Sequence, residues 1–179
     1  MPEVRLIPDP TLARAEIVAR LRALGLTLEE EATRKHTRTR TIWMRGDAAS
    51  VRLVDHHIVG ERLAVVDGDM HDDIVQALAP VDRATLLATI ADPTTIAAMP
   101  ALRRLCLLEH HDPSPELRVL LARALQAPLL LLRTSAMAAA LCLAPPHALW
   151  ALELAASHEP VAGLRERYSR SIAYHGTLA

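Results

Sequence analysis

"DPSPELRVLLARAL", Asp112 to Leu125, decides how the second half of this chain folds. Asp-Pro opens it as a helix start: the carboxylate accepts from orphan amides, and proline needs no donor in a first helical turn. Leu117-Arg118 follows, then Ala and Leu on one helical face, so the stretch predicts a helix over 114–126. The same punctuation recurs at Asp92-Pro93, at Pro145-Pro146 and at Pro160. Helices are therefore expected over 82–91, 97–108, 129–142, 146–157 and 161–174 as well, with nothing strand-like between them.

These segments repeat. "ALRRLCLL", "LLRTSAMAAAL" and "GLRERYSRSIA" share a Leu-Arg start, with 30 residues from Leu102 to Leu132 and 32 from Leu132 to Leu164. Leu86, Leu117 and Ala148 in the intervening helices are 31 apart each time. Two interleaved series with one period predict three helical hairpins of about 31 residues.

Over roughly residues 82–176 this pattern resembles short HEAT-type repeats of the α-solenoid class, with "DPSPELRVLLARAL" the nearest match. "LLLLRTSAMAAALCLA" departs by lacking Asp-Pro before its Leu-Arg. "HEPVAGLRERYSRS" carries the extra charge of a terminal capping repeat. The resemblance implies that Asp or Pro ends each turn, that the Arg enters a local hydrogen-bond network, and that Ala lets helices approach. It also implies protein recognition rather than catalysis. The candidate protein-binding residues are Arg103, Arg104, His110, His111, Arg118, Arg123 and Arg165, with Glu109, Arg167 and Arg170 nearby, facing an acidic partner. The same arginines fit solvated helix surface or bonds within a repeat, and the sequence leaves both readings open.

The first region, 1–80, has a different texture from 81–179. Asp9-Pro10 is expected to start a helix that ends near Gly25, with Leu12, Ala15, Val18, Leu21 and Leu24 at helical spacing. "TRKHTRTRTIWMR" then alternates threonines with charged residues, as an edge strand does. "RGDAAS" is a turn, and "VRLVDH" and "RLAVVD" are two further strands joined by "HIVGE". A helix from Met70 to Ala79 closes the region. The expected fold class is α+β: a small α-β-β-β-α antiparallel meander, then the helical hairpins.

"SVRLVDHHIVGERLAVVDGDMHDD", Ser50 to Asp73, concentrates histidines and carboxylates. "VDHH" resembles the signature of the DHH phosphoesterase family. That likeness implies a manganese pair that activates water on a phosphate ester, with Asp55, His56 and His57 as ligands and Asp67 and Asp69 joining them. The Asp-x-Asp motif of that family has no match upstream of Asp55. On a continuing strand, His56 and His57 also point to opposite faces. A hairpin loop at "DHHIVGE", with Asp69 as N-cap and Asp72 and Asp73 in the first turn of the next helix, accounts for the same residues. On that reading His56, His57, Asp67 and Asp69 splay apart. "LEHHDP" reads as a turn in which Asp112 caps the following helix.

Composition narrows the function classes. A hydrophobic content of 51% supports a core rich in Leu and Ala, with no Phe, two Trp and two Tyr. The net charge of −1 sets up no field for nucleic acid or an acidic membrane. "RKHTRTRTIWMR" has five Lys/Arg but one Trp, and "LEEE" precedes it, so a charged edge strand is favoured over nucleic-acid binding. Cys106 and Cys142 sit in Leu/Ala-rich segments and read as small buried hydrophobes. No signal peptide is expected in "MPEVRLIPDP", and "APLLLLRTSAMAAALCLAPP" is too interrupted to span a membrane. No G-x-S-x-G, G-x-G-x-x-G or P-loop is present. The expectation is a cytoplasmic, non-catalytic module without a cofactor. It would be an adaptor, scaffold subunit or immunity-type inhibitor that binds a protein partner by its helical face or sheet edge. The runner-up is the metal-dependent phosphoesterase.

Overall fold

The computed structural model describes residues 3–34, 39–56 and 60–176. The chain divides into two compact units, Met1–Asp82 and Arg83–Ala179.

The first unit is a five-stranded antiparallel sheet with two helices. In chain order it runs β1 (Val4–Leu6), α1 (Arg14–Ala23), β2 (Thr27–Arg34), β3 (Thr39–Arg45), β4 (Ala49–His56), β5 (Glu61–Gly68) and α2 (His71–Leu78). The sheet order is β1-β5-β4-β3-β2: a four-strand meander, with β1 added against the last strand. The threonine alternation belongs to two paired strands rather than one, with Thr33 opposite Arg40 and Arg34 opposite Thr39. Its central residues, 35–38, lie outside the described residues. The three residues of β1 are too few for a period-2 signal, which is why the sequence does not announce that strand.

Alternation divides the sheet into two faces. Ile42, Met44, Val51, Leu53, Ala64 and Val66 point to the helix side and form one core with Ile17 and Leu21 of α1 and Ile74 and Leu78 of α2. Two backbone bonds, Asp9 N–H to the Leu78 carbonyl (3.1 Å) and Val81 N–H to the Ile7 carbonyl (2.9 Å), tie the exits of β1 and α2 together. Arg20 donates to the Ala77 carbonyl at 2.9 Å, placing its charge at the negative end of α2. Gly68 closes β5 at φ +108°, and a Cβ there would stand 2.3 Å from the Ala48 carbonyl oxygen. Only glycine fits.

The second unit contains α3 (Arg83–Thr89), a 3₁₀ turn (Ile96–Ala98), α4 (Met99–Leu108), α5 (Pro115–Leu125), α6 (Leu130–Ala140), α7 (Pro145–His158) and α8 (Ala162–Gly176). A helix lies in each of the six segments expected. α3 packs on α4, α5 on α6 and α7 on α8; α4 also packs on α6, and α5 on α7. The small residues Ala124, Ala136, Ala139, Ala140, Ala151 and Ala155 are buried in the helices, where their size permits close approach. No helix among the described residues is long and apolar enough to cross a membrane.

The Asp-Pro junctions work differently from the expectation. Asp9 and Asp92 do not cap helices. Each accepts from the amide and hydroxyl of the threonine two residues on, Thr11 or Thr94, at 2.7–2.9 Å. These Asx turns redirect the chain before the helix begins, and the bonds hold both carboxyls below their ordinary range. The cap of α5 is Ser114, which accepts from Leu117 N–H, and not Asp112. Met70, not Asp69, occupies the N-cap of α2, and the Asp69 amide donates to the Ala48 carbonyl at 2.9 Å. Asp72 and Asp73 do lie in the first turn of α2.

Candidate functional site

The carboxylate and histidine cluster is spread along the sheet. Asp55 is paired with Arg62 across β4 and β5, with Arg62 Nε donating to Oδ1 at 2.6 Å. Arg14 of α1 approaches its other oxygen at 3.5 Å. Glu31 on β2 joins the group through Arg14 and Arg40. Arg62 also donates to the Leu12 carbonyl at 3.0 Å, so this network fastens the start of α1 to the sheet. Asp67 lies opposite Ser50 at the far end of the same two strands. Five residues of strand separate it from Arg62, about 16 Å at about 3.3 Å per residue. Asp55 and Asp67 also point to opposite faces.

His56 alternates with Asp55 and so occupies the other face, where burial and the charge of Arg5 lower its pKa against the pull of Asp55. His57 lies outside the described residues. Asp55, His56, Asp67 and Asp69 therefore do not converge, and no group of three or more metal-ligating side chains occurs among the described residues.

In the helical unit, most of the expected binding residues act inside the fold. Arg118 donates to the Pro113 carbonyl at 3.3 Å and to His147 Nδ1 at 3.2 Å, with its guanidinium 5.5 Å from the Trp150 ring. His147 must then carry its proton on Nε2, which donates to the His111 carbonyl at 2.9 Å. His110 Nδ1 meets the Cys142 carbonyl at 2.5 Å, and its own carbonyl accepts from Ala144 N–H at 2.8 Å. The two histidines of "EHHDP" thus join the α4–α5 turn to the α6–α7 turn. Arg165 donates to the Glu159 carbonyl at 3.3 Å, and Arg123 lies 3.6 Å from Asp92. Arg103 and Arg104 are half-buried on α4.

Two ion pairs organise this unit. Arg83 Nε donates to Glu109 at 2.6 Å, and the other Glu109 oxygen accepts from Ser114 N–H at 2.7 Å. Arg133 forks onto Glu159 at 2.9 and 2.8 Å, and one Glu159 oxygen accepts from Val161 N–H at 3.1 Å. Each pair spans 26 residues and uses a carboxylate just past one helix to hold the start of the next. The second pair is the deeper: the side chains are 7% and 1% exposed, and Arg133 also donates to the carbonyls of Ala127 and Pro128. The Arg133 bonds hold the Glu159 carboxyl below its ordinary range. Cys106 is fully enclosed, and burial pushes its thiol well up, so it is not a reactive nucleophile. Cys142 is half-buried.

Several large apolar side chains are exposed beside the charged surface. Leu129, Leu130 and Leu131 at the start of α6 are 60%, 45% and 61% exposed, and Leu141 at its end is 49% exposed. Composition-based reasoning missed them because "PLLLLR" reads as core. The signal available was helical phase: Leu132, Ala136 and Ala139/Ala140 face inward, which turns Leu131 outward. Comparison of the chain with protein-family models, curated proteins and solved structures finds no match.

Proposed function

We infer that the chain is a non-catalytic protein-interaction module: an adaptor or scaffold subunit, or an inhibitor of the immunity-protein kind, which binds a protein partner through its helical unit. The observation that carries this reading is the exposed run Leu129–Leu131, with Leu141 at the other end of the same helix. Two exposed leucines in α6 and the two that cap its ends gain from burial against a partner, at roughly 25 cal/mol per Å² of apolar surface removed from water. The 31-residue period, the likeness to HEAT-type repeats and the packing of α4 on α6 and α5 on α7 support it, because stacked hairpins leave an open face. A cytoplasmic setting belongs to the same proposal.

The test is capture from the native host with the full chain and with Leu130→Glu/Leu131→Glu. The paired substitution is expected to leave the melting temperature nearly unchanged, since both side chains are already exposed. It should abolish recovery of a stoichiometric protein partner. Equal recovery by both proteins removes α6 from the account.

A further inference from the structure

We propose that the outward face of α8 is a docking surface for an acidic peptide segment of the partner protein; this rests on the interaction reading above and adds the chemistry of what is bound. One side of α8 packs on α7 through the buried Tyr168. The other side presents Arg167, Arg170, Ser171 and Tyr174, spaced i, i+3, i+4 and i+7 along a single face. These four residues line a shallow groove of about 450 Å³. Arg167 and Arg170 are exposed, and Tyr174 is 65% exposed.

The charges are available. α8 carries three arginines against one glutamate, in a chain whose net charge is −1. Among the described residues no carboxylate pairs with Arg167, and Glu166 reaches Arg170 only at 3.9 Å with both side chains largely in water. Guanidinium groups fork onto carboxylates with two parallel bonds, so this pair selects Asp and Glu side chains. The Ser171 hydroxyl spends its proton on the Arg167 carbonyl at 3.1 Å, leaving its oxygen to accept from a peptide N–H. Tyr174 supplies the apolar area and stiffness that centre a binding site. Nucleic acid fits less well, because two guanidinium groups neutralise only about two phosphates.

The probe is a library of random twelve-residue peptides, displayed on phage and panned on the full-length protein. The recovered sequences are then titrated by fluorescence anisotropy at low and at physiological salt. Recovery of peptides with runs of Asp and Glu is expected. Their affinity should fall at least tenfold on Arg167→Glu/Arg170→Glu and stay unchanged on Arg22→Glu, the same kind of charge reversal on α1. Peptides without acidic enrichment, acidic peptides indifferent to Arg167→Glu/Arg170→Glu, or no recovered peptides at all overturn the proposal. So does a twenty-nucleotide single-stranded DNA that binds more tightly than the peptides and is lost on the same substitutions. Capture of a native partner that survives Arg167→Glu/Arg170→Glu but fails with Leu130→Glu/Leu131→Glu overturns this surface alone and leaves the interaction reading in place.

Discussion

At the scale of single residues, Arg133 and Glu159 carry the sharpest energetic consequence. Both are buried, and each satisfies the other with two bonds. Removing one partner strands a charge in the interior, so Glu159→Ala is expected to cost about 3–5 kcal/mol in urea unfolding. Replacing both, as Arg133→Met/Glu159→Leu, should recover most of that loss. A double variant as unstable as the single one would contradict this assignment. Glu159 and His56 also set two separate pH windows. Glu159 has a lowered pKa, so its stabilisation is complete above about pH 4.3 and is lost as pH falls on through the folded value. His56 is a base whose folded pKa is lowered by burial and by Arg5, so the unfolded chain takes up its proton first. Its contribution is complete above about pH 6.5 and is lost below that. Unfolding followed against pH should therefore show a shallow loss beginning near pH 6.5, absent in His56→Asn, and a steeper one in the acid range. The steeper loss should be reduced in Arg133→Met/Glu159→Leu but not abolished, because Asp9, Glu31, Asp92 and Glu116 also have lowered pKa values.

At the scale of elements, the turns set the architecture more tightly than the strands and helices they join. Gly68→Ala is expected to cost at least about 2 kcal/mol, since it combines a positive φ with a clash against backbone at Ala48. A thermal melt of the variant measures it, and an unchanged midpoint would contradict the geometry. The helices of the second unit were legible because Leu, Ala and Arg repeat with a fixed phase, and proline marks nearly every junction. The strands β4 and β5 were legible because short runs rich in valine and leucine are bounded by charged and turn residues. Other features were hidden for physical reasons. β1 is too short for a pattern, and the Thr/Arg alternation continues across a hairpin, so one run spans two strands. Asp-Pro-Thr looks like a cap, yet both copies close an Asx turn, because the threonine at the second position outcompetes a helix amide for the carboxylate. The histidine and carboxylate cluster looked dense only along the chain. Antiparallel pairing sends Asp55 and Asp67 to opposite ends of the sheet, and alternation sends Asp55 and His56 to opposite faces.

At the scale of the whole molecule, the core is apolar, several polar side chains of the helical unit are engaged within the fold, and a few leucines are left exposed. Arg118 and His110, which from sequence could have faced a partner, are engaged in joining turns and helices, as are His147 and Arg133. Leucines that from sequence belonged to the core stand in water. Phase along α6 is the sequence cue that anticipates these exposed leucines. The most direct measurement is native mass spectrometry of the untagged chain recovered from its own host at endogenous level. The account predicts a defined heteromeric complex heavier than the 19.6 kDa chain, with a second protein in fixed ratio. A free 19.6 kDa chain that by itself turns over a substrate would contradict it.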